Sequence, residues 1–364
     1  MTAVGFNPLF AIHCRIYGHL ADGREVHEYT LDNGAGLTLK AITYGGIVTE
    51  LRVPDAQGVA ANVVLGFDNL ADYALRNPHF GIIVGRYANR IAGGRFMLDG
   101  QAHHVTRNDG PNCLHGGVHG FGRQLWAAEI DGADLLLRYC GADGEEGFPG
   151  RMDVTVRYSL GADQSWRVDY EARCDRPSIV NLSHHDYFNL AGSGSALAQR
   201  LSLAASRYTE VDAHLIPTAI APVADTPFDF RQAQPIQARL FEAHPQLVLG
   251  TGYDHNWLLD APFDGQLHPA ARLEDPLSGR VMTVTTTEPA IQFYSGNFLD
   301  GSLRGSGGAL YQRGDGLCLE TQHNPDSPNH PADVDWPSAV LRPGEVYRSS
   351  TVHRFTSGAP ATTS

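Results

Sequence analysis

The sequence predicts one large all-β domain of the β-sandwich type. Apolar and polar residues alternate along several short runs, which is the period of a half-buried strand. The 364 residues include 40 glycines and 21 prolines, and this composition favours many turns over long helices. The sequence shows neither a strand–helix alternation nor a glycine-rich nucleotide loop, so a doubly wound fold is disfavoured.

The alternating runs define the individual strands. The clearest hairpin lies in Glu25–Tyr44, where two alternating segments flank Asp32, Asn33 and Gly34. A second pair is predicted at Met152–Leu160 and Trp166–Ala172, with a polar turn between them. Further strands are predicted at Leu135–Tyr139, Leu201–Ala205, Val281–Thr286, Ala290–Tyr294, Leu317–Thr321 and Tyr347–Phe355, and short helices at Leu70–Leu75 and around Ile236–Ala243.

The chain is expected to form a single domain over residues 1–356. The proline-rich stretch Pro325–Pro337 lies between two predicted strands, so we interpret it as an ordered loop. Residues 357–364 are predicted to be a disordered tail. The apolar stretch Val4–Ile12 lacks a preceding basic region and a following cleavage site, so we expect no signal peptide, and no run is long enough for a membrane span.

Charge and cysteine content exclude several classes of function. The net charge is −13, which argues against nucleic acid or an anionic membrane as a partner. Lys40 is the single lysine, so Schiff-base, pyridoxal-phosphate and P-loop chemistry are disfavoured. The five cysteines form no C-x-x-C pair, which predicts reduced thiols and a cytoplasmic location. The sequence does not indicate an oligomeric state.

Two polar clusters in the first third of the chain are candidate binding segments. Gly85–Gly94 holds Arg86, Asn89 and Arg90, which either bind hydroxyls through forked hydrogen bonds or form a solvated turn paired with acids. His115 is followed by two glycines that allow close approach of a ligand. A loop histidine of this kind is otherwise a surface or packing residue.

A third cluster contains adjacent histidines, in the order Ser183, His184, His185, Asp186. Neighbouring side chains of an extended segment point to opposite faces, so at most one of the two histidines faces a given pocket. This parity disfavours a metal site built from His184, His185 and Asp186. A histidine held near a carboxylate can instead act as a general acid.

Carboxylates supply the remaining candidates. Glu320 lies within an otherwise apolar strand, where an acid must be neutralised, paired or functional. It is the best candidate for a catalytic base, the alternative being a structural partner for an arginine. Asp254 lies beside the aromatic residues of Gly252–Trp257. An inventory of Glu, His, Asp, Arg and Asn suits hydroxyl-rich ligands, above all sugars.

Taken together and in order, these clusters resemble the aldose 1-epimerase (galactose mutarotase) family. The resemblance extends from about Tyr29 to Phe355. It is carried by six segments: GRYANRIAGGRF from Gly85, NCLHGG from Asn112, VNLSHHDYFNLAG from Val180, YDHNW from Tyr253, PAIQFYSGNFLDG from Pro289 and CLETQHNPDSPNHP from Cys318.

The resemblance implies a twisted antiparallel supersandwich with few short helices, and interconversion of the α and β anomers of free aldoses. It implies a small aldose as the partner, and it implies neither a metal nor an organic cofactor. Glu320 matches the family's general base and His185 its general acid. The matching sugar-binding positions are Asn89, Arg90, His115, Asp254 and Gln292, and Tyr187 and Phe188 would adjoin the pocket. Asp186, which follows the acid, is a further candidate for substrate binding.

The sequence departs from the family pattern beside the acid. The family usually has Asn before this histidine and Ser or Thr after it, whereas this chain has His184 and Asp186. Either histidine could therefore serve as the acid, and the register to Tyr187 favours His185. Three alternatives stay open: an epimerase of a phosphorylated hexose, a non-catalytic carbohydrate-binding module, and a metal hydrolase.

Overall fold

Antiparallel strands dominate the computed structural model, which describes residues 11–358. The first sheet contains, in spatial order, β1 (Ala11–His19), β2 (Glu25–Asp32), β3 (Thr38–Ile42), β4 (Val48–Pro54) and β5 (Ala60–Asn62). The predicted hairpin is confirmed, because β2 pairs with β3 from Glu28 opposite Ile42 to Asp32 opposite Thr38. The Asn33 side chain closes the turn by accepting the backbone N–H groups of Ala35 and Leu37.

The largest sheet has nine strands. Their spatial order is β11 (Ala127–Asp131), β12 (Asp134–Gly141), β13 (Met152–Leu160), β14 (Ser165–Cys174), β29 (Tyr347–Ser357), β23 (Arg280–Thr286), β22 (His268–Glu274), β17 (Arg200–Leu203) and β20 (Gln234–Pro235). The strand predicted at Met152–Leu160 has these bounds, and its burial alternates residue by residue. The last strand includes Ser357, the first residue of the predicted tail, and residues 359–364 of that tail lie outside the described residues.

A third sheet carries much of the polar chemistry. It contains β19 (Pro217–Pro222), β18 (Arg207–Val211), β21 (Asp254–Leu258), β24 (Ala290–Tyr294) and β27 (Cys318–Gln322), in that spatial order. Every residue of β21, β24 and β27 is buried. Strands buried on both faces lack the alternation of a half-buried strand. β24 and β27 were nevertheless predicted, whereas β21, which begins with the polar residues Asp254, His255 and Asn256, was not.

Five pairs of short strands complete the sheet structure. They are β6 (Ile82–Val84) with β16 (Ser183–His185), β7 (Arg90–Ile91) with β10 (Cys113–Leu114), β8 (Arg95–Leu98) with β9 (Gln101–His104), β15 (Ser178–Ile179) with β28 (Val340–Leu341), and β25 (Asp300–Arg304) with β26 (Leu310–Gln312). All pairings between these named strands are antiparallel.

Helices are few and short, as predicted: α1 (Leu70–Arg76), α2 (Gln237–Leu240) and α3 (Pro245–Leu249). The helix expected around Ile236–Ala243 is reduced to the single turn of α2. Within residues 11–358, none of the helices is both long and apolar enough to cross a bilayer.

One apolar cluster joins the three large sheets. It includes Leu39 of the first sheet, Val156 of the nine-stranded sheet and Phe293 of the third. Sheets that share an apolar interior in this way form a sandwich. The all-β prediction is therefore confirmed, and the sandwich leaves the polar face of the third sheet free to form a site.

Candidate active site

A cavity of about 400 Å³ collects most of the candidate residues. Its wall includes side chains from the third sheet, from the β6–β16 pair and from the β7–β10 pair. Seven of the residues predicted from the sequence line it: Asn89, Arg90, His115, His185, Tyr187, Asp254 and Glu320. The volume lies in the range that small-molecule ligands occupy.

Glu320 reaches the cavity from the middle of β27. Its neighbour Leu319 packs into the apolar interior, so the alternation of the strand directs Glu320 to the opposite face. The carboxylate is 2% exposed, and its Oε2 atom has no hydrogen-bond partner among the described residues. Burial and the nearby carboxylate of Asp254 raise the pKa of Glu320 well above its usual value, against the opposing effect of Arg90.

His185 comes from the neighbouring short strand β16. The backbone of this strand is held by β6, where His185 pairs with Ile82 and accepts a hydrogen bond from the N–H of Gly81 at 2.9 Å. The His185 Nε2 atom lies 3.6 Å from Oε1 of Glu320. Burial, followed by the neighbouring His79, lowers the pKa of His185 well below the ordinary histidine value.

His115 is fixed as a hydrogen-bond donor. Its Nδ1 atom accepts the backbone N–H of Asn89 at 3.1 Å, and burial lowers its pKa well below the usual value. The neutral ring therefore carries its hydrogen on Nε2. Gly116 lets the loop pass close behind this residue, since a Cβ there would lie 2.0 Å from the carbonyl oxygen of Gly85.

Arg90 is held by the loop that the sequence predicted to be ordered. The Arg90 Nε atom donates to Oδ2 of Asp109 at 2.8 Å, and the Arg90 carbonyl accepts the N–H of Asp326 at 2.8 Å. The Asp326 side chain in turn accepts the N–H of Ala92. The segment Pro325–Pro337 thus anchors the β7 strand from which Arg90 projects.

Gln292 lies on the strand between the two carboxylates of the third sheet and is bonded to one of them. It lies directly opposite Glu320 in the ladder, and its Nε2 atom donates to Oδ1 of Asp254 at 2.7 Å. Gln292 is 3% exposed and is not part of the cavity wall. Burial raises the pKa of Asp254, while Arg90 and the Gln292 hydrogen bond oppose the rise.

The structure does not bring Asp186 and Phe188 to the cavity. The Asp186 carboxylate is bonded to Nδ1 of His184 at 2.7 Å, and Phe188 packs in the apolar core, 5.4 Å from the ring of His353. The side chains of residues 186 and 188 lie on the same face of the chain as that of His184, opposite to the face of His185. The structure thus places the two histidine side chains on opposite faces, as the sequence predicted.

Arg86 does not line the cavity either. Its guanidinium donates to the carbonyl oxygens of Pro149, Gly150 and Ala142, and it is 2% exposed. Of the two arginines in the first cluster, Arg90 alone lines the cavity. This removes one of the two cations that a phosphate would require from that cluster.

Sequence reasoning missed several residues of the wall, of which His79 is the most notable. Its ring lies 4.9 Å from that of His115 and 5.4 Å from that of His185, and burial lowers its pKa to about 4. His79 has a φ of 78°, which is uncommon for a residue other than glycine. Asp109, Tyr294, Phe298 and the loop at 213–215 were missed as well.

Three of these groups also have the spacing of a metal site. One ligand atom each from His115, His185 and Glu320 lies within 4.8 Å of the others. A metal bound at Nε2 of His115 would displace the hydrogen that this atom carries, because Nδ1 already accepts the Asn89 N–H. The donor set therefore fits a hydrogen-bonding ligand better than a cation.

Comparison with known proteins identifies the class. The sequence profile described as aldose 1-epimerase matches residues 27–354. The chain is 41% identical over 343 residues to galactose mutarotase of Mus musculus, covering 93% of this chain and 97% of that protein. It is 37% identical over 339 residues to aldose 1-epimerase of Escherichia coli K12, covering 92% and 96%.

A solved structure agrees with these relatives. The crystal structure of galactose 1-epimerase from Lactobacillus acidophilus superposes with a TM-score of 0.83 at 27% identity, covering 96% of this chain and 99% of that one. The fold is therefore that of the galactose mutarotase-like β-sandwiches. The chain belongs to the aldose 1-epimerase family, and it is an isomerase.

Proposed function

We propose that this protein interconverts the α and β anomers of free aldoses of the glucose and galactose class, by opening and reclosing the sugar ring. The observation that carries the mechanism is the 3.6 Å separation between Nε2 of His185 and Oε1 of Glu320 inside a sugar-sized cavity. A hemiacetal needs a base at its anomeric hydroxyl and an acid at its ring oxygen, and both oxygens are bonded to the same carbon.

Glu320 is the base and His185 the acid. The Glu320 carboxylate takes the proton from the C1 hydroxyl while Nε2 of His185 gives its proton to the ring oxygen O5. The C1–O5 bond breaks and its electron pair passes to O5, while C1 becomes the carbon of an aldehyde. Rotation about C1–C2 then presents the other face of the carbonyl, and the two proton transfers run backwards as the ring closes. No proton or electron is gained or lost overall.

The remaining wall residues orient the ring. His115 and Arg90 present N–H donors, while Asp254 presents an acceptor. Tyr187 adds an aromatic surface that is fixed by the bond from its hydroxyl to the carbonyl oxygen of Pro78 at 3.0 Å. Holding the sugar against two prearranged proton-transfer groups accounts for much of the rate gain, and each group contributes roughly 10²–10⁴-fold.

The acid and base share one proton. Burial raises the pKa of Glu320 and lowers that of His185, so the empty cavity favours the neutral form of the pair. Bound sugar hydroxyls stabilise the ionised form that the reaction uses. At low pH a second proton binds the pair and Glu320 can no longer act as the base. At high pH the pair loses its last proton and His185 can no longer act as the acid. The rate is therefore expected to pass through a maximum with pH.

Mutarotation measured by polarimetry tests the proposal. Glu320→Gln and His185→Asn are each expected to slow anomer exchange of α-D-glucose or α-D-galactose more than tenfold while circular dichroism stays unchanged. Glu288→Gln and His323→Asn are matched controls, since this buried pair is joined at 2.7 Å but does not line the cavity. Near-normal rates in the first two variants would reject the assigned roles.

The same assay separates the alternatives. Faster exchange of glucose 6-phosphate than of glucose would indicate a phosphorylated substrate. Sugar binding without faster exchange would indicate a sensor or lectin, and loss of activity with EDTA would indicate a metal enzyme.

We also infer a cytoplasmic location and one domain spanning residues 1–356. The five cysteines are free thiols, which supports a reducing compartment. The apolar cluster shared by all three large sheets supports the single domain.

A further inference from the structure

A buried hydrogen-bond network lies directly behind His185 and does not contact the cavity. It consists of Tyr158, His184 and Asp186. The Nε2 atom of His184 lies 2.7 Å from Oη of Tyr158, and its Nδ1 atom lies 2.7 Å from Oδ2 of Asp186. The side chains of His184 and Asp186 are 4% and 1% exposed.

The hydrogen positions in this network follow from its acceptors. Tyr158 Oη lies 2.7 Å from the carbonyl oxygen of Gly46, and a carbonyl can only accept, so the tyrosine hydrogen points there. His184 Nε2–H must then donate to Oη of Tyr158. The Nδ1 atom of His184 and Oδ2 of Asp186 share one hydrogen at 2.7 Å, so the His184 ring is bonded at both of its nitrogens.

The network spans the backbone on either side of His185. Residues 184 and 186 have the same strand parity, and the bond between their side chains closes a loop around residue 185. Trp166 packs edge to face against the His184 ring at 5.3 Å, so the ring cannot tilt freely. The His185 backbone is thus fixed on one side by β6 and on the other by this side-chain bridge.

Stability alone gives little reason for this arrangement. Oδ1 of Asp186 has no hydrogen-bond partner among the described residues, so the carboxylate is only half satisfied. A buried ion pair is often no more stabilising than apolar residues of the same volume, and an incompletely bonded network is less favourable still. Apolar side chains of the same volume would fill the space, but they would not fix the position of His185.

We propose that Tyr158, His184 and Asp186 are positioning residues that hold the imidazole of His185 at its working distance from Glu320. This inference rests on the proposed function, because it assigns the network to the acid of that reaction. Proton transfer depends steeply on the donor–acceptor geometry, so a small displacement of His185 lowers kcat. The sugar is bound by other side chains, and KM is therefore expected to stay nearly constant.

The kinetic test compares two buried His–carboxylate pairs. Asp186→Ala is expected to lower kcat for glucose mutarotation at least tenfold with KM within twofold. Asp186→Asn should restore kcat to within threefold of wild type, because an amide still bonds to Nδ1. Glu288→Ala opens the comparable pair with His323, whose Nδ1 lies 2.7 Å from Oε2 of Glu288, and it should lower the melting temperature with kcat within twofold.

If Asp186→Ala does not fold, Tyr158→Phe replaces it in the test, because this milder change removes only the hydroxyl that is bonded to His184. It is expected to lower kcat threefold or more at unchanged KM. Equal effects of Asp186→Ala and Glu288→Ala on kcat, a rise in KM instead of a fall in kcat, or no rescue by Asp186→Asn would each overturn the positioning role.

A readout independent of activity separates this inference from the proposed function. Nitrogen-15 NMR of the histidine rings should show both nitrogens of His184 hydrogen-bonded, and the Nδ1 signal should move to that of an unbonded nitrogen in Asp186→Ala. Identical His184 signals in the wild type and in Asp186→Ala would overturn the network as described. Inactive wild-type protein in which the His184 signals do respond to Asp186→Ala would overturn the proposed function while leaving the network in place.

Discussion

The Nε2 atom of His185 and the Oε1 atom of Glu320 lie 3.6 Å apart, on strands that are distant in sequence but adjacent in space. At this distance the two groups are not hydrogen-bonded to each other, so both are available to a ligand in the cavity. Because the charges of Arg90 and Asp254 act on Glu320 in opposite directions, the proton affinity of the pair is tuned by residues that also line the cavity.

Asp254 and Arg90 are expected to shift the pH profile in opposite directions. Asp254→Asn removes a negative charge that raises the pKa of Glu320, so the base stays ionised to lower pH. The acid limb of kcat/KM should therefore move to lower pH. Arg90→Gln removes a charge that lowers the same pKa, and its acid limb should move to higher pH. Profiles of kcat/KM between pH 4 and 8 (approximate limits) check both signs.

Both variants are also expected to raise KM, because each side chain lines the cavity. The rise in KM is shared, whereas the pH shifts are opposite, so a general loss of binding cannot produce the expected pattern. Acid limbs that move together, or not at all, would contradict the electrostatic assignment.

His79 is expected to bind the sugar without taking part in proton transfer. It lines the cavity, and among residues 11–358 its ring nitrogens make no hydrogen bond. Because its pKa is about 4, it is neutral at the pH of activity. His79→Asn keeps a residue that tolerates positive φ, and it should raise KM about fivefold, the equivalent of one hydrogen bond of about 1 kcal/mol.

The shape of the pH profile distinguishes this role from catalysis. In His79→Asn both limbs of the profile should remain, and the basic limb should move only to higher pH, because His79 lowers the pKa of His185. A tenfold fall in kcat at unchanged KM would assign His79 to the chemistry instead.

The prediction of the fold from sequence succeeded where one face of a strand is buried. Val154, Val156 and Tyr158 alternate with polar residues, and the strand found there has the predicted bounds. It failed for β21, because this strand begins with three polar residues and shows neither an alternation nor an apolar run. Nothing in Pro78 or Phe80 indicated that His79 reaches the cavity, since its backbone conformation depends on the packing of the loop.

The candidate site was predicted in part for a similar reason. Strand parity correctly separated His184 from His185, because alternation is a local property of extended backbone. The same parity places Asp186 and Phe188 on the face of His184, yet both were predicted to contact the substrate, Phe188 from the resemblance. Contacts between strands, such as the hydrogen bond from Gln292 to Asp254, depend on the order of the strands in the sheet. That order could not be obtained from the sequence.

Cys318 is expected to fix the ring form of His185. Its Sγ atom lies 3.5 Å from Nδ1 of His185, and burial beside Glu320 raises the pKa of the thiol well above its usual value. The thiol therefore keeps its hydrogen. It donates weakly to Nδ1 while the ring is neutral, and its sulfur accepts Nδ1–H when the ring is protonated for the reaction, so in both forms a hydrogen on Nε2 faces Glu320. Cys318→Ala should lower kcat several-fold, whereas Cys318→Ser, which retains a donor, should stay within twofold of wild type.

Steady-state polarimetry with both variants checks this expectation, and melting curves report any loss of packing. Equal kcat values for the alanine and serine variants would show that the volume of the side chain matters and its hydrogen does not.

His353 is expected to make the fold sensitive to acid. It is 3% exposed, stacks on Trp166 at 4.8 Å, and has no partner for Nδ1 among the described residues. Burial lowers its pKa from 6.5 to about 4. Between these two values the unfolded chain binds a proton that the folded chain does not, so the contribution of the neutral ring to stability is complete above pH 6.5 and is lost as the pH falls towards 4.

His353→Phe removes this titration and keeps an aromatic ring against Trp166. The free energy of unfolding should then depend on pH less steeply between about 4.5 and 6, by roughly 1 kcal/mol per pH unit. Urea unfolding at several pH values measures the slope. His13→Asn, at an exposed position, serves as the control. A wild-type slope in His353→Phe would mean that the buried ring is already protonated in the folded protein.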